Sequence, residues 1–334
     1  MIIQTLAPLH TSLAFACAAQ TLYRVESLAD CAAVPAGPHR LLGGGSNVLC
    51  AASQLASVVQ IAIRGIALVA ESKDAYTVEV GAGEPWHAVV LHTLLQGWAG
   101  LENLALIPGW AGAAPVQNIG AYGLELSERL ESVQAWDTVA REHVTIGHAD
   151  CQFGYRDSLF KREAGRYWIT GIRLTLPKPW RPVLRYADLA QLQSPSPQAV
   201  CDAVIRIRQT KLPDPAVIPN AGSFFKNPVI DADLAIVLKD KHPNLPCYPQ
   251  PDGRVKIAAG WLIEQAGWKG YRAPQSPVGV HANQALVLVH DTERGAALKI
   301  QAKGADLLHL ATQIQASVRE QFQVELEREV NLWT

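Results

Sequence analysis

The chain has 334 residues, with 29 Lys and Arg against 30 Asp and Glu, a net charge of −1. Hydrophobic residues make up 49% and charged residues 18%, so the chain can bury real cores and does not belong to the intrinsically disordered class. The length suggests about two domains, and the balanced charge argues against a dedicated nucleic-acid binder, which carries a basic excess.

From the start of the chain, Leu13 to Ala19 is apolar, but the first Lys or Arg is Arg24. No charged n-region precedes it, and a signal peptide is not expected. Leu41 to Ile63 carries no charge, yet Gly43-Gly44-Gly45-Ser46-Asn47 interrupts it, as do Ser53, Gln54, Ser57 and Gln60. A membrane span needs about 20 mostly apolar residues, so buried strands and turns are expected instead. Val58 to Ile63 reads as a strand, and Tyr76-Thr77-Val78-Glu79-Val80 alternates until Gly81. A helix is predicted over 85–96, with Pro85 in its first turn and Gly97 as its stop. Strands are predicted near 132–146 and 167–176. Ser196-Pro197 opens a helix with Val200, Val204 and Ile207 on one stripe. Lys211-Leu212-Pro213-Asp214-Pro215 ends that helix and marks the best domain boundary. Helices follow at 231–241 and 256–266, then a strand over 285–289. A long helix carries Leu307, Leu310, Ala311, Ile314, Val318 and Phe322 on one face, and a strand is predicted over 324–330. Strand-rich and helical blocks in succession point to α+β rather than a doubly wound sheet.

Cys17, Cys31, Cys50, Cys151, Cys201 and Cys247 have no C-x-x-C spacing, so neither zinc nor a thioredoxin-type site is supported. Scattered thiols fit a reducing cytoplasm. The pairs His87/His92 and His143/His148 stand five apart, off the i,i+4 spacing of a helical metal pair, and no metal site is expected.

Five segments offer chemistry, each beside a plainer reading. Gly43-Gly44-Gly45-Ser46-Asn47-Val48 permits positive φ and close approach of backbone N–H groups to a phosphate; a flexible turn is the alternative. Asn103 to Gly123 is uncharged and rich in Gly, Pro and Ala. It suits a backbone lying on a large neutral surface such as a flavin ring, with Gln117 and Asn118 as hydrogen-bonding groups, or a buried structural turn. Arg156, in Phe153-Gly154-Tyr155-Arg156-Asp157-Ser158, suits a carboxylate or a surface salt bridge to Asp157 or a neighbour. Ser223 lies between Gly222 and two phenylalanines, where its hydroxyl sits either in a water-poor site or in an ordinary turn. Glu325, Glu327 and Glu329 alternate about 7 Å apart along a strand; such a run is usually a solvated face, and a buried member would be an acid of raised pKa.

In this order, the segments resemble the UDP-N-acetylenolpyruvoylglucosamine reductase family over about residues 8 to 330. Gly100-Leu101-Glu102-Asn103 through Gly123 carries most of the likeness. Cys151 to Ser158, Thr210 to Pro215 and Ala221 to Pro228 support it, and Val183 to Leu189 looks like the tyrosine-bearing insertion of the family's longer form. The resemblance implies an α+β chain with a FAD-binding fold of the vanillyl-alcohol-oxidase-like (PCMH) type in two subdomains plus a C-terminal α+β substrate-binding domain. The subdomains would be 1–63 with 313–334, and 64–211, and the substrate domain 214–312. It further implies non-covalent FAD, NADPH as hydride donor, and reduction of UDP-N-acetylglucosamine enolpyruvate to UDP-N-acetylmuramate for peptidoglycan synthesis. The protein is expected to be cytoplasmic and monomeric, with no nucleic-acid partner.

By matching positions, FAD would meet Gly43, Gly44, Gly45, Ser46, Asn47 and Val48, and also Pro108, Gly109, Gly112, Ala113, Ala114, Gln117, Asn118, Gly120, Ala121, Tyr122 and Gly123. Ser223 would donate a proton, and Arg156 and Glu329 would stabilise charge on the substrate. Tyr155, Tyr186, Lys211, Asn227, Lys269 and Gln284 would bind substrate. Three segments depart from the family pattern: His10-Thr11-Ser12-Leu13 replaces Asn-Thr-Phe-Gly, Trp110 sits where a small residue is usual, and Arg328 replaces proline in Leu326-Glu327-Arg328-Glu329-Val330. Two rival readings are a flavin oxidase with tethered FAD and a non-enzymatic nucleotide-binding relic. Residues 43–49 and 108–123 contain no histidine or cysteine for a tether. Arg156, Ser223 and Glu329 together count against the relic.

Overall fold

The computed structural model describes residues 1–334. The chain forms two compact units. The first comprises Met1–Leu9, Ala18–Ser46 and Gln54–Gln209, and the second His10–Cys17, Asn47–Ser53 and Thr210–Thr334. Each has its own core. One is built on Val59, Val78, Val80, Leu104, Ile172 and Leu174, the other on Phe224, Phe225, Leu262, Leu307, Ile314 and Val318.

The first unit holds two sheets. In the smaller, Ile2–Pro8 pairs antiparallel with Ala18–Val25. Ala18–Val25 and Arg40–Leu42 both run parallel to Gln54–Ile61, so the short helix Leu28–Ala33 serves as a crossover. The larger sheet is antiparallel and centred on Tyr167–Pro177, which pairs with Leu130–Asp137 on one side and Ala75–Gly81 on the other. Glu142–Gly147 and Ile66–Glu71 form its edges. The predicted strand region near 132–146 is thus a hairpin of two strands. Helix Trp86–Leu95 buries Trp86, Val89, Val90 and Thr93, the i, i+3, i+4, i+7 face that a 3.6-residue repeat puts on one side. Trp86 is fully buried, and its Nε1 donates to the Leu104 carbonyl at 3.0 Å. Burying a ring of that size is worth about 3–5 kcal/mol.

The second unit holds small antiparallel sheets. Asn220–Ser223 pairs with Val287–His290, which pairs with Val278–Val280. The long helix Gly304–Phe322 buries the predicted stripe from Leu307 to Phe322. Gly304 begins it because a β-carbon there would stand 1.8 Å from the Cys50 carbonyl oxygen. The C-terminal strand differs from expectation. Residues 324–330 alternate in burial, but only Arg328 makes a β-bridge, and the strand is Asn331–Trp333, parallel to Val48–Cys50. Alternation reports which side is buried; residues 327–329 find only the short partner 224–226, enough for a single bridge, and Val48–Cys50 offers a longer ladder only from residue 331 onward.

No helix is long and apolar enough to cross a membrane, and no group of three or more His, Cys, Asp or Glu side chains could hold a metal ion. All six cysteines are free. Burial pushes the thiols of Cys50 and Cys151 up to about 12 and those of Cys31 and Cys201 to about 11, which keeps them protonated and unreactive at neutral pH.

Candidate active site

In the first unit, two turns meet backbone to backbone. Gly45 has φ +68°, and a β-carbon on Gly44 would lie 2.9 Å from Trp110 Cδ1 and 3.1 Å from the Gly109 Cα. Gly109 has φ +108°, and a β-carbon there would lie 2.6 Å from Ser46 Oγ. Ser46 Oγ donates to the Pro108 carbonyl at 3.3 Å, and Gln60 Nε2 to the Gly43 carbonyl at 3.0 Å. The helix beginning at Trp86 pins the second turn, with Trp86 N donating to the Gly109 carbonyl at 2.9 Å and Ala111 N to the Glu84 carbonyl at 2.8 Å. The N–H groups of Gly44 and Gly45 donate to no acceptor in the protein. Two adjacent amides without side chains, in a turn of positive φ, form the kind of nest that receives a phosphate. The donor set and the close approach therefore fit the diphosphate of FAD.

The wall continues through Asn118 to Gly123. Gly120–Ala121 and Leu124–Glu125 form a two-strand hairpin whose turn residues, Tyr122 and Gly123, both have positive φ, 51° and 86°, as a tight hairpin turn requires. An aromatic residue seldom adopts that conformation, and tertiary contacts hold it. Asn103 Nδ2 donates to the Tyr122 carbonyl at 2.8 Å and to the Val183 carbonyl at 2.9 Å. The Tyr122 ring meets Tyr186 edge-on at 4.9 Å. Asn118, at φ 44°, is buried. Its Nδ2 donates to Glu125 Oε2 at 2.8 Å and its Oδ1 accepts from Ser127 N at 2.9 Å. Its amide is thus committed to holding the hairpin, while the Gln117 side chain is half-exposed. Asn118→Asp replaces the donor to Glu125 with a second carboxylate. Urea unfolding should show a loss of about 2–3 kcal/mol at pH 7.5. The loss should shrink at pH 5, where protonation relieves the like-charge contact; equal losses at both pH values would contradict this.

Arg156 stands in the tight turn Gly154–Asp157 at φ 52°. Its Nη2 donates to the Gly120 carbonyl at 3.1 Å, and its guanidinium lies 5.6 Å from the Tyr155 ring. Asp157 pairs with Arg162, so the salt bridge from Arg156 to Asp157 is not made. Ser158 is buried and caps the helix Leu159–Arg162 while donating to the Val116 carbonyl at 2.7 Å, which locks this turn to the flavin-type segment.

One residue here went unread in the sequence. Arg208, on the helix Pro197–Lys211, shares a side-chain hydrogen bond with Tyr122 and feels the charge of Arg156. Burial pushes its guanidinium below the ordinary arginine range, Tyr122 works the other way, and Arg156 adds repulsion. Burial, then Arg208, also holds His87 below the usual imidazole value, and His87 Nδ1 accepts from Leu106 N at 3.1 Å. Arg156 and Arg208 bring two guanidiniums to Gly120 and Tyr122, an arrangement that favours an anion.

In the second unit, Ser223 ends the strand Asn220–Ser223 after Gly222, at φ 68°. Phe224 and Phe225, both 1% exposed, anchor the segment below it. Residues 224–226 run antiparallel to 327–329: Glu329 N donates to the Phe224 carbonyl at 2.8 Å, Lys226 N to the Glu327 carbonyl at 2.9 Å, and Phe225 bridges Arg328. Ser223 thereby adjoins the residue that holds Glu329. Glu325 and Glu327 are solvated, at 66% and 68% side-chain exposure, and pair with Arg319 and Lys226; Glu329 alone is half-buried. Asn47 Nδ2 donates to the Glu329 carbonyl at 3.1 Å, and Asn47 O accepts from Asn331 N at 3.1 Å. Within the second unit, Asn47 and Glu329 are therefore fixed to one another. Arg328 keeps an N–H that proline would lack, and its β-bridge to Phe225 supplies the local order that the missing ring would have given.

Of the remaining residues, Asn227 Oδ1 accepts from Ala259 N at 3.0 Å at the start of the helix Ala259–Gln265. Lys269 pairs with Glu264 at 2.9 Å, Gln284 Oε1 accepts from Leu286 N at 3.4 Å, and Lys211 is exposed at the end of its helix. Tyr155, Tyr186 and Arg156 belong to the first unit, and Ser223, Glu329, Asn227, Lys269, Gln284 and Lys211 to the second.

Comparison with known proteins bears on both units. Residues 214–333 match the family described as UDP-N-acetylenolpyruvoylglucosamine reductase, C-terminal domain, and residues 14–144 match an FAD binding domain. The UDP-N-acetylenolpyruvoylglucosamine reductase of Dechloromonas aromatica is 52% identical over 299 residues, covering 86% of each chain. That of Bordetella pertussis is 51% identical over 295 residues, covering 86% of this chain and 81% of its own. The crystal structure of UDP-N-acetylenolpyruvylglucosamine reductase (MurB) from Thermus caldophilus superposes with a TM-score of 0.66 at 24% identity, over 97% of this chain and 96% of that one. At that identity the structural likeness speaks for the fold.

Proposed function

The chain belongs to the UDP-N-acetylenolpyruvoylglucosamine reductase family, and from that premise we propose how its residues carry the reaction and that NADPH is the hydride donor. It is an FAD-dependent oxidoreductase that reduces UDP-N-acetylglucosamine enolpyruvate to UDP-N-acetylmuramate for peptidoglycan synthesis. FAD, when bound, supplies the two-electron chemistry that no side chain offers. Residues 43–48 and 108–123 hold it without a covalent tether. Residues 1–63 with 313–334, and 64–211, act as its two binding subdomains, and 214–312 as the substrate domain.

Reduction of an enolpyruvyl ether adds hydride at one carbon and a proton at the next, with negative charge developing on the carboxylate between the two events. Arg156 and Glu329 polarise and stabilise that charge, which in a dry site is the largest single effect available to a protein. Ser223 delivers the proton. A serine hydroxyl is a weak acid, so it acts only where the neighbouring charge makes the carbon basic enough to take its proton. Arg208 joins Arg156 as a second cation near Tyr122. Tyr155, Tyr186, Lys211, Asn227, Lys269 and Gln284 bind the sugar nucleotide, its diphosphate answered by the lysines. The enzyme works as a monomer in the cytoplasm. The observation that carries the reading is the pairing of residues 224–226 with 327–329, which sets the serine and the one half-buried glutamate of its run on adjoining segments.

The purified protein should be yellow, should bleach on anaerobic addition of NADPH, and should regain colour when the enolpyruvyl sugar nucleotide follows. A colourless protein that takes up no FAD, or a flavin that NADPH leaves oxidised while NADH reduces it, would contradict the corresponding part of the proposal.

A further inference from the structure

A cavity of about 460 Å³ opens in the first unit between Arg129 and the segment 177–185, and none of its lining residues is among those assigned above. Four of its lining residues are cations, Arg129, Lys178, Arg181 and Arg185, and none is acidic. Two of the four are answered at the rim. Lys178 pairs with Glu71 at 2.6 Å and Arg185 with Glu128 at 2.9 Å. The other two have no ion pair. Arg129 donates only to backbone carbonyls, Nε to Gly100 at 3.1 Å and Nη1 to Glu128 at 2.8 Å. Arg181 is exposed and has no hydrogen bond or ion pair at all.

The wall is built to stay in place. Pro177, Pro179 and Pro182 fix three of its φ angles, Trp180 Nε1 donates to buried Glu102 at 3.4 Å, and the Val183 carbonyl accepts from Asn103. Beyond the cavity, the same wall packs on Gly123, where a β-carbon would stand 3.1 Å from Arg185 Cβ. Burial disfavours the charge of Arg129, and Arg185 repels it; Glu128 and Glu102 offset part of that cost. A concave site with two guanidiniums lacking an ion-pair partner, two more cations at its edge and a pre-ordered wall meets the requirements for a multiply charged anion. Several cations lining one cavity suit a diphosphate, whose oxygens span more than one cation, better than a single carboxylate.

We propose that this cavity is a second anion site, separate from the substrate positions, that takes a diphosphate group, either inorganic pyrophosphate or the diphosphate of a nucleoside 5′-diphosphate. Holoenzyme titrated calorimetrically with pyrophosphate and with ADP, at fixed ionic strength and against sulfate as control, tests it. Arg181→Glu is the discriminating variant, because Arg181 touches nothing whose loss would unfold the chain and lies outside the catalytic set. The variant should keep its FAD content and turnover and weaken pyrophosphate binding at least tenfold. The affinity lost should also fall with added salt in the native protein. A larger Arg181-dependent gain for ADP than for pyrophosphate identifies a nucleotide as the ligand; a gain for pyrophosphate alone identifies the inorganic ion. Pyrophosphate binding that is the same in native protein and in Arg181→Glu would place it in the substrate site and overturn the proposal. Binding no tighter than that of sulfate would overturn it as well.

Discussion

Ser223→Ala is expected to leave flavin bleaching by NADPH at its native rate and to slow recolouring by the enolpyruvyl sugar nucleotide by about 10²- to 10⁴-fold, the range in which a positioned proton donor contributes. The substitution removes one oxygen from a half-buried strand end. The packing beneath comes from Phe224 and Phe225, which meet edge to face at 5.3 Å and do not depend on the hydroxyl. The backbone bond from Glu329 N goes to the Phe224 carbonyl, a group that the change leaves alone. A fall in rate is therefore chemical and not a symptom of unfolding. Anaerobic stopped-flow absorbance separates the two half-reactions. If both slowed equally, Ser223 would be shaping the site rather than delivering the proton, and the assignment would be wrong.

What was legible in the sequence follows from which signals are local. The stripe from Leu307 to Phe322 and that of Val200 and Val204 read correctly because a 3.6-residue repeat is set by the helix itself. The segment 103–123 stood out because it carries no charge, yet its conformation could not be read. Asn118 and Tyr122 take positive φ only because Glu125, Asn103 and Tyr186 hold them there. The strand Ile2–Pro8 left no pattern because it lies on a sheet edge with Ile2, Ile3 and Leu6 all exposed. Residues 324–330 show the converse, correct alternation without a ladder. Arg208 was missed because arginines on a helix are usually read as solvated; it stands four residues after Val204 on the buried stripe, half-buried where Arg206 is exposed, and Tyr122 bonds it there. The second unit draws His10–Cys17 and Asn47–Ser53 from far upstream, a consequence of contacts such as Asn331 with Val48 that no local pattern announces.

Gly44→Ala is expected to weaken FAD binding, and Trp110→Ser to restore most of it. A β-carbon at position 44 would meet Trp110 Cδ1 at 2.9 Å, Gly109 Cα at 3.1 Å and Trp110 Nε1 at 3.2 Å. Rotating Trp110 aside would relieve two of these contacts but not that with the Gly109 backbone. The Trp110 backbone bridges Pro85, and Arg64, paired with Glu84 at 3.3 Å, lies 5.6 Å from its ring. The turn must yield instead, and the N–H groups of Gly44 and Gly45 move with it. Overpacking of this kind costs about 1–3 kcal/mol, so the dissociation constant for FAD, read from flavin fluorescence on reconstitution of apoprotein, should rise roughly 5- to 150-fold. In a Trp110→Ser background two of the three close contacts disappear and only that with Gly109 Cα remains, so the same glycine change should cost about 1 kcal/mol less or better still. The coupling between the two positions is the informative quantity. If Gly44→Ala weakened FAD equally with and without the tryptophan, the ring would not be what requires glycine here. If it weakened FAD in neither background, residues 43–48 would not be the cradle. A positive coupling instead explains how this chain accommodates a bulky residue where its relatives' pattern has a small one: Trp110 is tolerated because position 44, on the facing turn, carries no side chain.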